Sequence, residues 1–308
     1  MANFLLSRVI SALFVVFGVS CLVFFFIHLI PGDPVEVMLG ESALPADREA
    51  LRQSLGLNLP LYTQLLNYLG GLVHLQLGTS LQTKQPIIDI LKERLPATAE
   101  LAVAGLVIAV VIALPLGVIA ALRRNTFWDM AAMGVSVMGI SIPNFWLGPV
   151  LVLVFSLWLG WLPVSGREGA LSIVLPAVTL GTALAAILSR MIRASLLEVL
   201  NEDYVRTAYA KGLTRRQVVV GHALRNALLP VLTILGLQLG ALLGGAVITE
   251  VIFSWPGIGQ LTIEAIQRRD YPVLQACVLV ISLSYVLVNT VTDVLYAWFD
   301  PRIRLGES

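Results

Sequence analysis

Charge is what this chain has least of. Asp, Glu, Lys and Arg make up 13% of its 308 residues, about half of the roughly 25% carried by an ordinary soluble domain. With 57% hydrophobic residues, the chain cannot cover a water-facing surface of its own size, and lipid is the solvent that remains. Cysteine is scarce as well. Cys21 and Cys277 both fall inside apolar runs and read as small apolar fillers, which excludes a disulfide framework. The three histidines, His28, His74 and His222, share no ligand spacing, and no His-Glu-x-x-His occurs. A membrane metalloprotease is therefore disfavoured, and no metal site is expected. There is no Gly-x-x-x-x-Gly-Lys-Ser/Thr loop, so the chain is not expected to bind ATP itself. Glu250 and Asp293 fall toward opposite faces, too far apart for acid–base work as a pair, and no catalytic residue is expected. A net charge of +1 without a pooled basic face points away from nucleic acid.

What the chain does have is long uncharged runs, at 9–32, 101–122, 130–166, 169–189, 226–249 and 271–292. Each reaches the roughly 20 residues that span hydrocarbon as a helix. The expected fold is an all-α integral membrane protein with six transmembrane helices. The segments that would lie on one side hold 12 of the 20 Lys and Arg, which predicts that this side and both termini are cytoplasmic. Residues 1–32 form the first span, retained because its apolar core is too long for a signal peptide. Its end is the turn Pro31-Gly32-Asp33-Pro34. Residues 33–97 are an extracytoplasmic helical insertion, with short helices expected over Leu44–Leu55, Leu61–Leu77 and Pro86–Leu95. Residues 98–300 are a five-helix core that includes a cytoplasmic loop at 198–228, and 301–308 a cytoplasmic tail.

Within the core, Met130–Gly160 is too long for one straight span, and Pro143 and Pro149 predict a kink. Gly236, Gly240 and Gly244 recur every fourth residue, placing a close-packing face on the fifth span. Polar side chains within or beside spans are costly toward lipid. Asn144, Gln238, Gln275 and Asn289 are therefore candidates for a translocation path, and Asp293 should sit in water or find a partner.

The loop from Glu198 to Pro230 reads EVLNEDYVRTAYAKGLTRRQVVVGHALRNALLP. Arg206, Lys211, Arg215, Arg216 and Arg225, with Arg190 and Arg193 before them, outweigh Glu198, Glu202 and Asp203, so the loop must lie in water. Tyr204–Ala210 is predicted to be helical, with Asp203 at its favourably charged start. Gly212 is predicted to end it in a left-handed conformation, with Lys211 beside the helix's negative end.

The run Asp203–Gly212, followed by His222-Ala223-Leu224-Arg225-Asn226-Ala227-Leu228-Leu229-Pro230, resembles the coupling loop of importer permeases of the ATP-binding cassette class. More narrowly, it is similar to the dipeptide, oligopeptide and nickel permease family, and to its dipeptide branch in particular. Arg206, Thr207 and Ala208 stand where the general permease motif has Glu-Ala-Ala. Further matches are Ser141–Gly148 in the third span and Thr249–Gln260 with Arg268–Pro272 before the sixth. The resemblance implies an alternating-access importer subunit for dipeptides or short oligopeptides, with nickel-chelate or glutathione import as the alternative. It implies a homologous second permease, two nucleotide-binding ATPase subunits or one fused pair, and an extracytoplasmic peptide-binding protein. ATP and Mg2+ would belong to the ATPases.

The sites the resemblance implies are two. Asp203, Tyr204, Val205, Arg206, Ala208, Lys211 and Gly212 would couple to the ATPase, with Tyr204, Val205 and Ala208 as the docking face. Glu250, Trp255, Gly257 and Asp270 would meet the binding protein. The competing reading is an ion-coupled secondary transporter, which would more often show broken helices and polar coupling groups at the midplane.

Overall fold

The computed structural model describes residues 2–29, 35, 39, 44–54 and 56–299. The expected turn at 31–34 and the tail at 301–308 lie outside the described residues, as does the side chain of Asp293. Among the described residues the protein is helical, with one isolated bridge between Thr79 and Pro86. In chain order the helices are α1 (Ala2–Leu29), α2 (Pro45–Ser54), α3 (Leu61–Val73), α4 (Ile87–Leu122), α5 (Phe127–Ser141) and α6 (Asn144–Leu151). They continue as α7 (Val174–Val199), α8 (Asp203–Ala210), α9 (Leu224–Ile252), α10 (Ile258–Gln267) and α11 (Tyr271–Phe299). A π-helical stretch, Val152–Trp158, prolongs α6, and another, Gln217–Ala223, leads into α9.

Among the described residues, four stretches are long and apolar enough to cross a membrane: Ile87–Leu122, Val174–Val199, Gln217–Gly236 and Tyr271–Thr292. A fifth arises if α5 and the extended α6, bent by 104° at their junction, count as one broken span. The stretch Ile10–Phe26 within α1 is apolar but shorter. The protein is thus an all-α multi-span membrane protein. Its large exposed apolar side chains, such as Phe14, Phe17, Val111 and Leu287, suit a lipid solvent, where helix association rests on packing and polar contacts.

Sequence and structure differ at Pro96. The expected short helix and second span are one 36-residue helix, α4, running through the proline. Pro96 and Lys92 are both exposed, so the Lys92 carbonyl that Pro96 leaves without its helical donor can turn to water. In α3 the expected apolar face is only partly covered: Leu65 and Leu69 are half-buried, no residue of the helix is fully buried, and Val73 is 81% exposed. The expected break in the third span is present, as the 104° bend after Ser141-Ile142-Pro143.

The described residues fall into two compact units, one within Met1–Thr98 with Pro256–Val286 and one within Ala99–Trp255 with Leu287–Ser308. In the first, Ile87, Leu91, Ile258, Leu261, Val273 and Cys277 form a buried apolar cluster. Also in this unit, α1 meets α3 through Phe24 stacked on Tyr68 and through His28, whose Nε2 lies 3.2 Å from Gln64 Oε1. Burial, with Cys21 alongside, pushes the Tyr68 phenol up to about 12.

The second unit is organised around α7, which buries Leu175, Leu180, Leu184, Leu188, Ile192 and Leu196. α4 crosses it at backbone distance. A Cβ on Gly181 would stand 2.5 Å from the Gly105 carbonyl oxygen, and one on Gly117 would stand 2.7 Å from the Ser189 oxygen. Small residues at such crossings let two backbones meet, which is the main source of attraction available in lipid. α5 runs antiparallel to α7 and is joined to it by polar bonds. The Ser136 and Ser189 hydroxyls are 2.7 Å apart, and Arg193 donates to both oxygens of Asp129, at 2.7 Å each. The expected glycine face of α9 is filled at Gly236, where a Cβ would collide with Thr292 of α11.

Candidate functional site

The positively charged loop after α7 folds as a short helix, α8, between α7 and the π-helical start of α9. Glu202 precedes it in extended backbone (φ −70°, ψ 148°), and Asp203 occupies the first turn, where a carboxylate favours the helix's positive end. Thr207 Oγ1 donates to the Asp203 carbonyl at 2.9 Å. Arg206 lies 3.4 Å from Asp203 one turn back, a fully solvated pair of little energetic weight.

The helix ends as its sequence predicts. Gly212 has φ +82°, its N–H donates to the Tyr209 carbonyl, and the Leu213 N–H donates to the Ala208 carbonyl. These are the paired bonds of a Schellman motif, and Leu213 packs against the same apolar cluster as Ala208. Two residues on, Thr214 and Gln217 cap the next helix. Gln217 Oε1 accepts from the Thr214 N–H at 2.9 Å, while the Gln217 N–H points to Thr214 Oγ1 at 3.4 Å. This reciprocal box was legible in the Thr-x-x-Gln spacing, although the sequence reading above did not use it.

The two faces of α8 divide sharply. Val205 is 1% exposed and Ala208 8%, and both pack with Ala121, Leu196, Val218, Ala223 and Ala227 of the same chain. Burying Val205 alone contributes about 1.5–3 kcal/mol. Tyr204, Arg206, Thr207, Tyr209, Ala210 and Lys211 form the exposed side. Val205 and Ala208, expected on the docking face, are buried against their own chain and seat the helix. Tyr204 stays on the outer side, its hydroxyl accepting from Asn226 Nδ2 at 2.8 Å. Arg215 donates to the Leu122 carbonyl at 2.9 Å, tying the loop to the end of α4. Tyrosines and exposed cations at the rim of a rigid, well-seated helix make a surface suited to a protein partner.

The remaining sequence-predicted residues are not gathered in one place. Asn144 opens α6, Gln238 lies in α9 and Asn289 in α11, all half-buried; the Asn289 carbonyl oxygen is buried without a hydrogen bond among the described residues. Gln275 lies in the other compact unit. Glu250, Trp255, Gly257 and Asp270 are all buried, Glu250 completely. Asp270 has a clear architectural task. Its carboxylate accepts from Ser80 Oγ at 2.5 Å, Leu81 N at 3.2 Å and Gln82 N at 3.4 Å, and caps α11 at Val273 N.

Residues 113–305 match the family described as the binding-protein-dependent transport system inner membrane component, and residues 1–102 match the N-terminal region of such membrane components. The chain belongs to this family of inner-membrane importer permeases. The permease is 44% identical, over 304 residues and 99% of both chains, to the glutathione transport system permease protein GsiC of Escherichia coli O6:H1. Its likeness to GsiC of Escherichia coli K12 has the same extent. Among solved structures, an inward-facing MetNI methionine ABC transporter chain superposes with a TM-score of 0.61 at 19% identity. That match covers 70% of the permease and 99% of the solved chain. An amino acid ABC transporter matches with a TM-score of 0.52 at 15% identity, over 70% and 94% of the two chains. These structural likenesses concern the fold. With the family shown, the permease is a non-catalytic, multi-pass transport component of an ABC-type importer of the peptide, nickel and glutathione group, and the ion-coupled carrier reading is set aside.

Proposed function

We propose that this permease is the membrane subunit of an ATP-driven importer of short peptides, with glutathione as its foremost substrate. The observation that carries the reading is the 44% identity to a glutathione permease over 99% of both chains. Sequence reasoning put dipeptides first and a dipeptide-type B subunit as the nearest relative; the likeness to a glutathione permease supports neither of these finer readings. Glutathione import, there the alternative, has the better support, and nickel-chelate import ranks behind both.

In this reading α1 and five further spans make six, both termini face the cytoplasm, and 33–97 lies outside. The positive balance of the 198–228 loop supports that orientation. A second permease, two ATPase subunits or a fused pair, and an external binding protein complete the assembly, with ATP and Mg2+ held by the ATPases. The exposed side of α8, with Tyr204, Arg206, Tyr209 and Lys211, docks on the ATPase, while Val205 and Ala208 carry its movement into the permease and Asp203 and Gly212 fix the helix ends. Asn144, Gln238, Gln275 and Asn289 offer neutral polar groups to a peptide passing between spans. The binding protein meets the outer segments to which Glu250, Trp255, Gly257 and Asp270 belong, and these buried groups each hold their own segment in shape.

The test is uptake of labelled glutathione into proteoliposomes holding the whole assembly, with excess dialanine as competitor. ATP-dependent uptake that dialanine leaves unchanged is the expected result. Equal competition by dialanine would widen the substrate class to peptides in general, and uptake of dialanine alone would restore the dipeptide reading. Transport by the lone chain on an ion gradient would overturn the importer reading.

A further inference from the structure

We infer that the Asp129–Arg193 pair is the strut through which the coupling helix moves α5, so that these two are positioning residues for transport. The inference rests on the importer reading and adds to it the route by which force leaves α8.

The route is built from contacts already described. α8 is seated through Val205 and Ala208 on a cluster that includes Leu196, in the last turns of α7. Displacement of α8 therefore reaches α7 through Leu196, alongside the π-helical start of α9 and the end of α4 in the same cluster. One turn before Leu196, Arg193 leaves α7 and grips Asp129 of α5 through two parallel bonds, Nε to Oδ1 and Nη2 to Oδ2, both 2.7 Å. The Asp129 side chain is 7% exposed and that of Arg193 27%. A third donor, the Asn125 N–H at 2.9 Å, holds the carboxylate from the turn before α5, where Asn125 itself has φ +59°. Farther along the same two helices stand the Ser136–Ser189 bond and the close approach of Gly139 to the Thr182 carbonyl.

Two of the helices packed on α7, α4 and α5, are thus attached by different physics. α4 touches it through glycine and backbone, contacts that are short-ranged and allow sliding along a smooth crossing. α5 is attached by a bidentate charge-assisted pair with defined directions, strengthened where water is scarce. Sliding α5 past α7 requires breaking that pair and leaving a charge largely buried, which is strongly unfavourable. α5 therefore follows α7. Its far end is the 104° junction with α6, where Asn144 stands. A bond that only stapled the fold would serve assembly; a strut also sets how much ATP is used for each substrate moved.

The experiment is a double-mutant cycle on the reconstituted assembly with Asp129→Asn, Arg193→Gln and the double variant, scored as ATP hydrolysed per glutathione imported, per assembled complex. A strut predicts that each single change raises this ratio at least fivefold and that the double is no worse than either single. Parallel loss of both activities with an unchanged ratio, or single effects that multiply in the double, would overturn it. If Asp129→Asn does not assemble, Arg193→Lys keeps the charge and gives up one parallel bond. It is then expected to raise the ratio at least twofold, and an unchanged ratio overturns the strut. Wild-type chain that recruits no ATPase would overturn the importer reading and the strut together. Wild type that couples normally beside variants that couple equally well would overturn the strut alone.

Discussion

The short helix α8 and the corner between α10 and α11 are built to similar plans but present their side chains differently. Both are preceded by a short helix-terminating motif with a left-handed residue or end in one: Gly212 after α8, Arg269 after α10. At α10 the Arg269 N–H donates to the Ile266 carbonyl and the Asp270 N–H to the Ala265 carbonyl, the same bond pair as at Gly212. Both runs resemble permease motifs in sequence. Yet Arg206, Tyr209 and Lys211 of α8 stand in solvent, whereas Asp270 is spent on Ser80, Leu81 and Gln82. The difference teaches that a recognisable motif marks a partner surface only where its side chains are outward, and otherwise marks architecture.

The largest effect that would sharpen this contrast is expected inside the α8 seat. Val205→Asp places a carboxylate where 1% of the side chain's residue surface is open, and uptake is expected to fall at least tenfold, because an unpaired buried charge unseats the helix. Cysteine cross-linking between α8 and α7 should fall with it; retained cross-linking would break the account. Next comes the outer side, where Arg206→Glu with Lys211→Glu should reduce ATPase co-purification about tenfold by reversing rim charge. Permease amount and thermal stability should stay unchanged, and a drop in either would mean that the rim is structural.

At the other region, Asp270→Ala removes a buried acceptor of four donors and is expected to destabilise the protein by about 3 kcal/mol, with Ser80→Ala costing about 1 kcal/mol. Both are read as midpoints of thermal unfolding in detergent; equal shifts would argue against the carboxylate as the anchor. The smallest pair tests the two helix ends. Gly212→Ala should cost about 1 kcal/mol because Cβ is disfavoured at φ +82°. Arg269→Gly should stabilise by a similar or smaller amount, roughly 0.5–1 kcal/mol.

Much of this was readable beforehand because membrane helices announce themselves by length and missing charge. The α8 boundaries were readable for a local reason: Asp203 and Gly212 are end signals whose physics needs no tertiary partner. The orientation of α8 was not, since Val205 and Ala208 look no more buried in sequence than Tyr204 or Tyr209 until Leu196 and Ala121 are brought beneath them. The Asp129–Arg193 pair was hidden for the same cause, its members being 64 residues apart. Pro96 misled because a proline reads as a break, although its exposed flank lets the helix continue.

The bend after Ser141 has a mechanical corollary. Residues 144–158 extend from it as one rod of about 20 Å at 1.5 Å per residue. A rotation of about 10° at the joint would sweep the tip of that rod through roughly 3–4 Å, comparable to the radius of a peptide group with its hydration. A right-angled crank thus converts a small twist at its elbow into a sideways stroke large enough to widen or shut a passage, without any helix having to unwind.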